Sequence, residues 1–258
     1  MSGVLSGQVA VLVGGTSGIG LEIARHMAEA GCSAIALVGR NERNGKTAEL
    51  ELKQRWPGVA TAFLAADVTQ PVAVTALTRQ ITQRFGHVDT LVHGIGGEFS
   101  PEPFERSDWS TIDSLILTHL TSALYVTRAF LPTMIGRNKG SVLLIGSDAA
   151  KVATPGEAII GAAKSGLAMF ARTLALEVSR YHIRVNCLTP SIVQGTRTYD
   201  RLMANQFSAT LFRKAEKRAR LGVATPSDIA PLAVFLVSPL AAKITGQTIS
   251  INSGISAA

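Results

Sequence analysis

A chain of 258 residues with 47% hydrophobic residues and 24 glycines has enough apolar content for one large buried core, which excludes a disordered or low-complexity protein. Its net charge of +7 is spread thinly and comes with only 5% aromatic residues, a composition that sets nucleic-acid binding aside. The apolar run 9–13 is far shorter than a signal-peptide core or a membrane span, and the lone Cys32 and Cys187 fit no metal or redox spacing. A cytoplasmic protein without membrane, metal or nucleic-acid partner is therefore expected.

Along the chain, short apolar runs alternate with helix-length segments. Runs at 9–13, 35–38, 62–65, 90–92, 142–145, 184–188 and 248–251 read as buried strands, and helices are predicted over 19–30, 42–56, 71–85, 109–135, 157–180 and 227–237. Strands that are apolar throughout, separated by helices, predict an α/β fold with a doubly wound parallel sheet, as a single domain over 1–258. The segment 191–224 interrupts this rhythm. It is polar, helix-capable and follows the C-terminal end of a strand, so it reads as a lid over a substrate or, alternatively, as a long connection. The one dense basic group, Arg213, Lys214, Lys217, Arg218 and Arg220, falls inside it. That group reads first as a solvated helix face and second as an attraction for an anionic substrate or carrier.

Gly14, Gly18 and Gly20 follow the first strand and open a helix. The first permits a tight turn, the second lets backbone N–H groups reach a pyrophosphate, and the third lets the helix pack closely on the sheet. Thr16, Ser17 and Ile19 of the same loop belong to the expected nucleotide site. The second strand ends at Val38-Gly39-Arg40. A glycine there replaces the acid that would accept ribose hydroxyls, and Arg40, assisted by Arg43, suits a 2′-phosphate, so NADP(H) is favoured over NAD(H).

These residues, in this order, resemble the short-chain dehydrogenase/reductase family across essentially the whole chain. The resemblance implies a Rossmann fold, an adenine contact at Asp67-Val68, and a His93-Gly94-Ile95-Gly96 stretch in the place of the family's Asn-Asn-Ala-Gly. It adds Gly94, Pro190 and Ile192 to the cofactor-binding set, brings Asn186, Thr245-Gly246-Gln247 and Gly254 into register, and leaves the family's post-strand threonine displaced at Thr196. The family's chemistry uses Ser, Tyr, Lys and Asn. By register Ser147 is the serine that positions the substrate oxygen and Lys164 the lysine that holds the nicotinamide ribose. Ile160 stands where the proton-donating tyrosine would be and His119 where the asparagine would be.

An alkyl side chain has no proton to give, so ordinary ketone reduction loses a group that typically contributes ~10²–10⁴-fold. His119 is the first candidate for a replacement acid, acting directly or through water, its alternative being a satisfied core histidine. Glu157 is the second. It lies seven residues before Lys164, where the related enoyl reductases keep their tyrosine, and its alternative is a helix N-terminal acid. Asp148, Tyr199 and His93 are weaker candidates. The related dienoyl-CoA reductases also lack the tyrosine, and the stretch from Gly96-Gly97-Glu98-Phe99 through Trp109 loosely resembles theirs. Two functions follow as expectations. One is an NADP(H)-dependent oxidoreductase acting on a small-molecule carbonyl or conjugated enoyl substrate, an anionic coenzyme A or carrier thioester in the basic-cluster reading. The other is a non-redox use of the fold: a cyclase or isomerase, a nucleotide-responsive binding protein, or an inactive oligomer partner. The long helices at 109–135 and 157–180 imply, by the same resemblance, a homodimer or homotetramer.

Overall fold

The seven apolar runs form seven strands because each is buried by layers on both sides of one sheet. The computed structural model describes residues 3–96 and 99–257. In chain order the strands are β1 (Val9–Val13), β2 (Ala34–Gly39), β3 (Ala60–Ala65), β4 (Thr90–His93), β5 (Gly140–Ile145), β6 (Ile183–Pro190) and β7 (Thr248–Ile251). They pair in parallel in the order β3-β2-β1-β4-β5-β6-β7. The order reverses between β1 and β4. That reversal is the switch point at whose strand C-terminal ends open α/β sheets place their ligand crevice.

Nine α-helices complete the fold: α1 (Gly18–Glu29), α2 (Glu42–Arg55), α3 (Pro71–Phe85), α4 (Trp109–Ile116), α5 (Ser122–Gly136), α6 (Ala158–Val178), α7 (Arg197–Ala204), α8 (Gln206–Arg218) and α9 (Pro226–Val237) among the described residues. Ile23, Met27, Leu52, Ile229 and Val234 pack one face of the sheet, and Leu77, Ile81, Phe130, Met134 and Leu167 pack the other. Burying a large aliphatic side chain contributes roughly 1.5–3 kcal/mol, so these two layers dominate the stability. Helix α6 is long and apolar enough to cross a membrane by length alone, but it buries Ile160, Ala163, Leu167, Ala171 and Val178 as a core helix on β6.

One segment departs from the sequence reading, and a second gives form to a stretch read as helix-capable. The helix expected over 109–135 is divided by a π-helical turn, Leu117–Thr121, between α4 and α5. One extra residue per turn rotates the following face, and His119 falls inside that turn, buried. The segment 191–224 contains α7 and α8, started by the Thr196 and Asn205 side chains, which accept from the backbone N–H of Tyr199 and Ser208. Ile192, Leu202 and Phe212 give it a small apolar core of its own. The Tyr199 hydroxyl donates to Glu216 at 2.7 Å, which ties α7 to α8 and turns that phenol away from any swinging role.

Candidate nucleotide and catalytic site

At the crevice the backbone itself requires glycine. Gly14 has φ +83°, and a Cβ there would lie 2.4 Å from the Gly94 carbonyl oxygen, so the loops after β1 and β4 meet without side chains between them. A Cβ on Gly20 would lie 2.2 Å from the Gly14 carbonyl oxygen, which is how closely α1 is seated on the loop. Ser17 is the extended residue before α1, and the first bond of that helix runs from Leu21 N–H to the Ser17 carbonyl. The N–H groups of Gly18, Ile19 and Gly20 therefore have no intrahelical acceptor, and with the helix dipole they form an anion-binding turn. Gly39 is explained the same way. A Cβ at that position would meet Thr16 Oγ1 at 3.0 Å, a tight contact that a side chain there relieves only by shifting Thr16.

Beside the turn lies a cleft of about 690 Å³, whose walls include Thr16, Ser17 and Gly18 from the loop, Asn41 and Arg43 from the start of α2, and Arg197 from α7. Arg40 is exposed at the end of β2 but does not line this cleft, whereas Arg43 does. The Asp67 carboxylate accepts from Thr69 N–H (3.0 Å) and Thr69 Oγ1 (2.7 Å), which fixes the turn after β3, and Val68 is buried behind it. Pro190 closes β6. The Ile192 side chain packs against Leu202 and Phe212. Gly97 and Glu98, part of the stretch compared with dienoyl reductases, lie outside the described residues.

The catalytic candidates gather where β5 ends. Lys164 is 7% exposed, and its Nζ donates to the Ile145 carbonyl at 2.9 Å, two residues before Ser147. Burial lowers its pKa to about 8. Ser147 starts a short 3₁₀ turn, Asp148–Ala150, by accepting from Ala149 N–H at 3.2 Å. That turn packs on the start of α6: the Ala149 carbonyl oxygen would be 3.2 Å from a Cβ on Gly161, and Ser165 Oγ donates to the Ala150 carbonyl at 2.9 Å. Ser147, Glu157, Ile160 and Lys164 thus share one corner. Ile160 is buried one helical turn before Lys164. Asp148 is occupied elsewhere, accepting from Ser256 Oγ (2.6 Å) and Asn252 Nδ2 (3.2 Å), so it anchors the C-terminal segment under the serine turn.

The two acid candidates differ sharply in charge state. Burial, with repulsion from Lys164 and His93, lowers the His119 pKa to about 2, and neither ring nitrogen has a hydrogen-bond partner within the described residues. His93 is likewise lowered to about 3, by burial and then by Lys164. Its Nε2 lies 3.1 Å from Ser122 Oγ, whose single proton is directed to the Thr118 carbonyl at 2.6 Å. The His93 Nε2–H is therefore the donor to the serine. Both imidazoles are neutral at pH 7. Glu157 moves the other way: burial, then the nearby Asp148 carboxylate, raise its pKa to about 7 against a lowering hydrogen bond from Thr154. Burial thus moves its titration toward neutrality.

The buried histidines make a stability prediction. An unfolded histidine takes up a proton below pH ~6.5 that the folded His119 refuses, so stability is full above that pH and falls as pH drops toward the folded value. His119→Asn should flatten the acid limb between pH 6 and 4 by about one proton, or ~1.4 kcal/mol per pH unit, in urea titrations at each pH. An unchanged slope would show that His119 is not the group refusing the proton.

Comparison with known proteins agrees with this architecture. Residues 13–256 match the family profile described as enoyl-(acyl carrier protein) reductase. The chain is 32% identical to the 3-oxoacyl-acyl-carrier-protein reductase FabG of Chlamydia muridarum over 99% of this chain and 100% of that protein. It is 33% identical to a 2,3-dihydroxy-2,3-dihydro-p-cumate dehydrogenase of Pseudomonas putida over 97% and 95% of the two chains. Among solved structures, a citronellol catabolism dehydrogenase of Pseudomonas aeruginosa superposes with a TM-score of 0.84 at 28% identity, covering 100% of this chain and 98% of the other. A short-chain type dehydrogenase/reductase of Mycobacterium ulcerans shares the fold with a TM-score of 0.90 at 24% identity, over 99% and 91%. The chain belongs to the short-chain dehydrogenase/reductase family, whose matched relatives here are oxidoreductases.

Proposed function

We propose that this protein is an NADP(H)-dependent oxidoreductase of the cytoplasm that reduces a conjugated enoyl or carbonyl group, a thioester being the preferred form. The observation that carries the reading is the junction of a glycine-walled anion turn with Lys164 and Ser147 at the adjoining end of β5. Gly14, Gly18, Ile19 and Gly20 would hold the pyrophosphate, Asp67 and Val68 the adenine side, and Gly94 and Pro190 the nicotinamide side, with Lys164 on the ribose. When bound, the nicotinamide supplies the hydride. Ser147 orients the substrate oxygen and, with the Lys164 charge behind it, stabilises negative charge developing there.

The proton is assigned to Glu157 ahead of His119. A neutral imidazole with a folded pKa near 2 is a poor acid at pH 7, whereas a carboxyl with a pKa near 7 is matched to the task. An enolate formed by conjugate reduction needs charge stabilisation first and a proton second, which suits a site without a phenol. Segment 191–224 acts as the lid, and the exposed cations Arg213, Lys214, Lys217 and Arg218 on α8, with Arg220 beyond it, favour an anionic carrier such as coenzyme A. Exposed Met169 and Leu176 on α6 and Trp109 on α4 support self-association along those helices as a dimer or tetramer.

The test is calorimetric titration with NADPH and NADH, followed by a turnover screen led by enoyl thioesters. NADPH is expected to bind the more tightly, and Lys164→Ala to weaken binding and depress turnover together. Turnover untouched by that change would count against the reading. The buried alkyl group at Ile160 supports a second reading, the non-redox use of the fold. NADPH binding with no oxidation across carbonyl and enoyl panels would favour it.

A further inference from the structure

Asp148 is buried next to Ser147, and among the described residues no lysine, arginine or histidine forms an ion pair with it. The C-terminal segment holds it instead. Asn252, also buried, accepts from Gly254 N–H through Oδ1 at 3.2 Å, which fixes the orientation of its amide. Its Nδ2 therefore lies on the other side and donates to Asp148 Oδ1 (3.2 Å) and to the carbonyl and Oγ of Ser256 (3.1 and 2.8 Å). Because Ser256 Oγ already accepts from that amide, its own proton goes to Asp148 Oδ2 at 2.6 Å. Both oxygens of Asp148 thus receive donors, the arrangement an ionised carboxylate takes.

The clasp is fixed on both sides. Ser253 and Gly254 turn the chain back with φ +57° and +77°, and Ile255 packs on the Ile192, Leu202 and Phe212 cluster of the 191–224 segment. Asp148 itself begins the turn that Ser147 caps, and α6 is seated on that turn where Ser165 Oγ donates to the Ala150 carbonyl. Glu157 is the residue before α6. Around the N-terminal half of that helix the titratable groups are Asp148 and Lys151 of the serine turn, Glu102 of the loop after β4, Asp113 of α4, His119 of the π-helical turn, and Lys164 of α6 itself. Lys151 donates to Ser250 and Lys164 to the Ile145 carbonyl, so both cations have other partners. The charge that acts on Glu157 is the Asp148 carboxylate, and it opposes a second negative charge there.

Resting on the reading of Glu157 as the acid, we propose that Asp148 is a positioning residue: clasped by Asn252 and Ser256, it holds a fixed negative charge near Glu157, so that the carboxyl keeps its proton until the substrate takes it. The C-terminal segment is then part of the proton-donating apparatus, although none of its residues touches the reacting atoms.

The experiment follows the Glu157 carboxyl directly, by carbon-13 resonance of the full chain labelled at its glutamate carboxyls, with the signal identified by its loss in Glu157→Gln. In the parent the carboxyl titrates at about pH 7. Asp148→Asn keeps the shape and removes the charge, and is expected to move that midpoint to lower pH. Ser256→Ala loosens the clasp from the half-buried tail and moves it the same way by a smaller step, whereas Ser256→Thr, which keeps the hydroxyl, restores it. A midpoint that stays in place in Asp148→Asn overturns the proposal, and if that variant does not fold, an unmoved midpoint in Ser256→Ala does so. Oxidation of NADPH by crotonyl-coenzyme A over the same pH range tests the underlying reading separately. An alkaline limb that moves down with the midpoint supports both. A midpoint that moves while the limb stays, or with no turnover at all, upholds the clasp and overturns Glu157 as the acid.

Discussion

Ile160→Tyr is expected to raise reduction of a 3-oxoacyl thioester by about 10²–10⁴-fold, the range a positioned general acid supplies. Ile160 lies buried on α6 one turn before Lys164, and the start of that helix packs on the turn that Ser147 opens. A phenol there projects past the lysine, whose positive charge would lower its pKa and aid proton transfer. Overpacking costs about 1–3 kcal/mol in a closed core, and the variant should unfold at a lower temperature accordingly. The two readouts separate. A less stable protein with new ketone turnover supports an otherwise complete hydride-transfer site. A folded variant that binds NADPH and gains nothing would falsify it, since only the acid was supplied.

Glu157→Gln is the converse experiment. If Glu157 gives the proton, turnover on the best enoyl substrate falls by about 10²–10³-fold, while NADPH affinity, set by the glycine turn and Lys164, is unchanged. The pH profile carries the decisive sign. The protonated carboxyl is the active form, so the parent's rate declines above about pH 7, and the glutamine variant's residual rate lacks that limb. Stability moves in the matching sense. The folded group binds its proton up to about pH 7 and the unfolded one only to about 4.5, so the parent loses stability as pH rises through that window. The glutamine variant should therefore be the more stable of the two at pH 8. Loss of NADPH binding together with turnover would instead mark Glu157 as a support for the helix start.

Periodicity made the sheet legible. Every apolar run became a strand with ends shifted by at most a few residues, because a strand covered on both faces has no polar alternation to confuse it with a surface segment. Gly14, Gly18 and Gly20 were read as the glycine turn, and the backbone approaches of 2.4 Å at Gly14 and 2.2 Å at Gly20 leave no space for a side chain at those two. The π-helical turn was not legible. A single inserted residue within a continuous helical pattern changes no local preference, yet it turns His119 into the core. Nor was the seating of α7, since only the folding of 191–224 brings Thr196 beside Gly18 and Thr198 beside Gly96.

The sequence by itself determined the family and the alternation of strands and helices, both of which are written in local spacing and residue type. The tertiary structure decided the protonation states. His119 and Glu157 are both titratable side chains beside an active-site register, and nothing in their neighbours along the chain separates them. Burial beside the Lys164 charge lowers the pKa of one to about 2, and burial beside the Asp148 carboxylate raises that of the other to about 7. Desolvation and through-space charge are properties of what packs around a group, and that is settled only when the chain has folded.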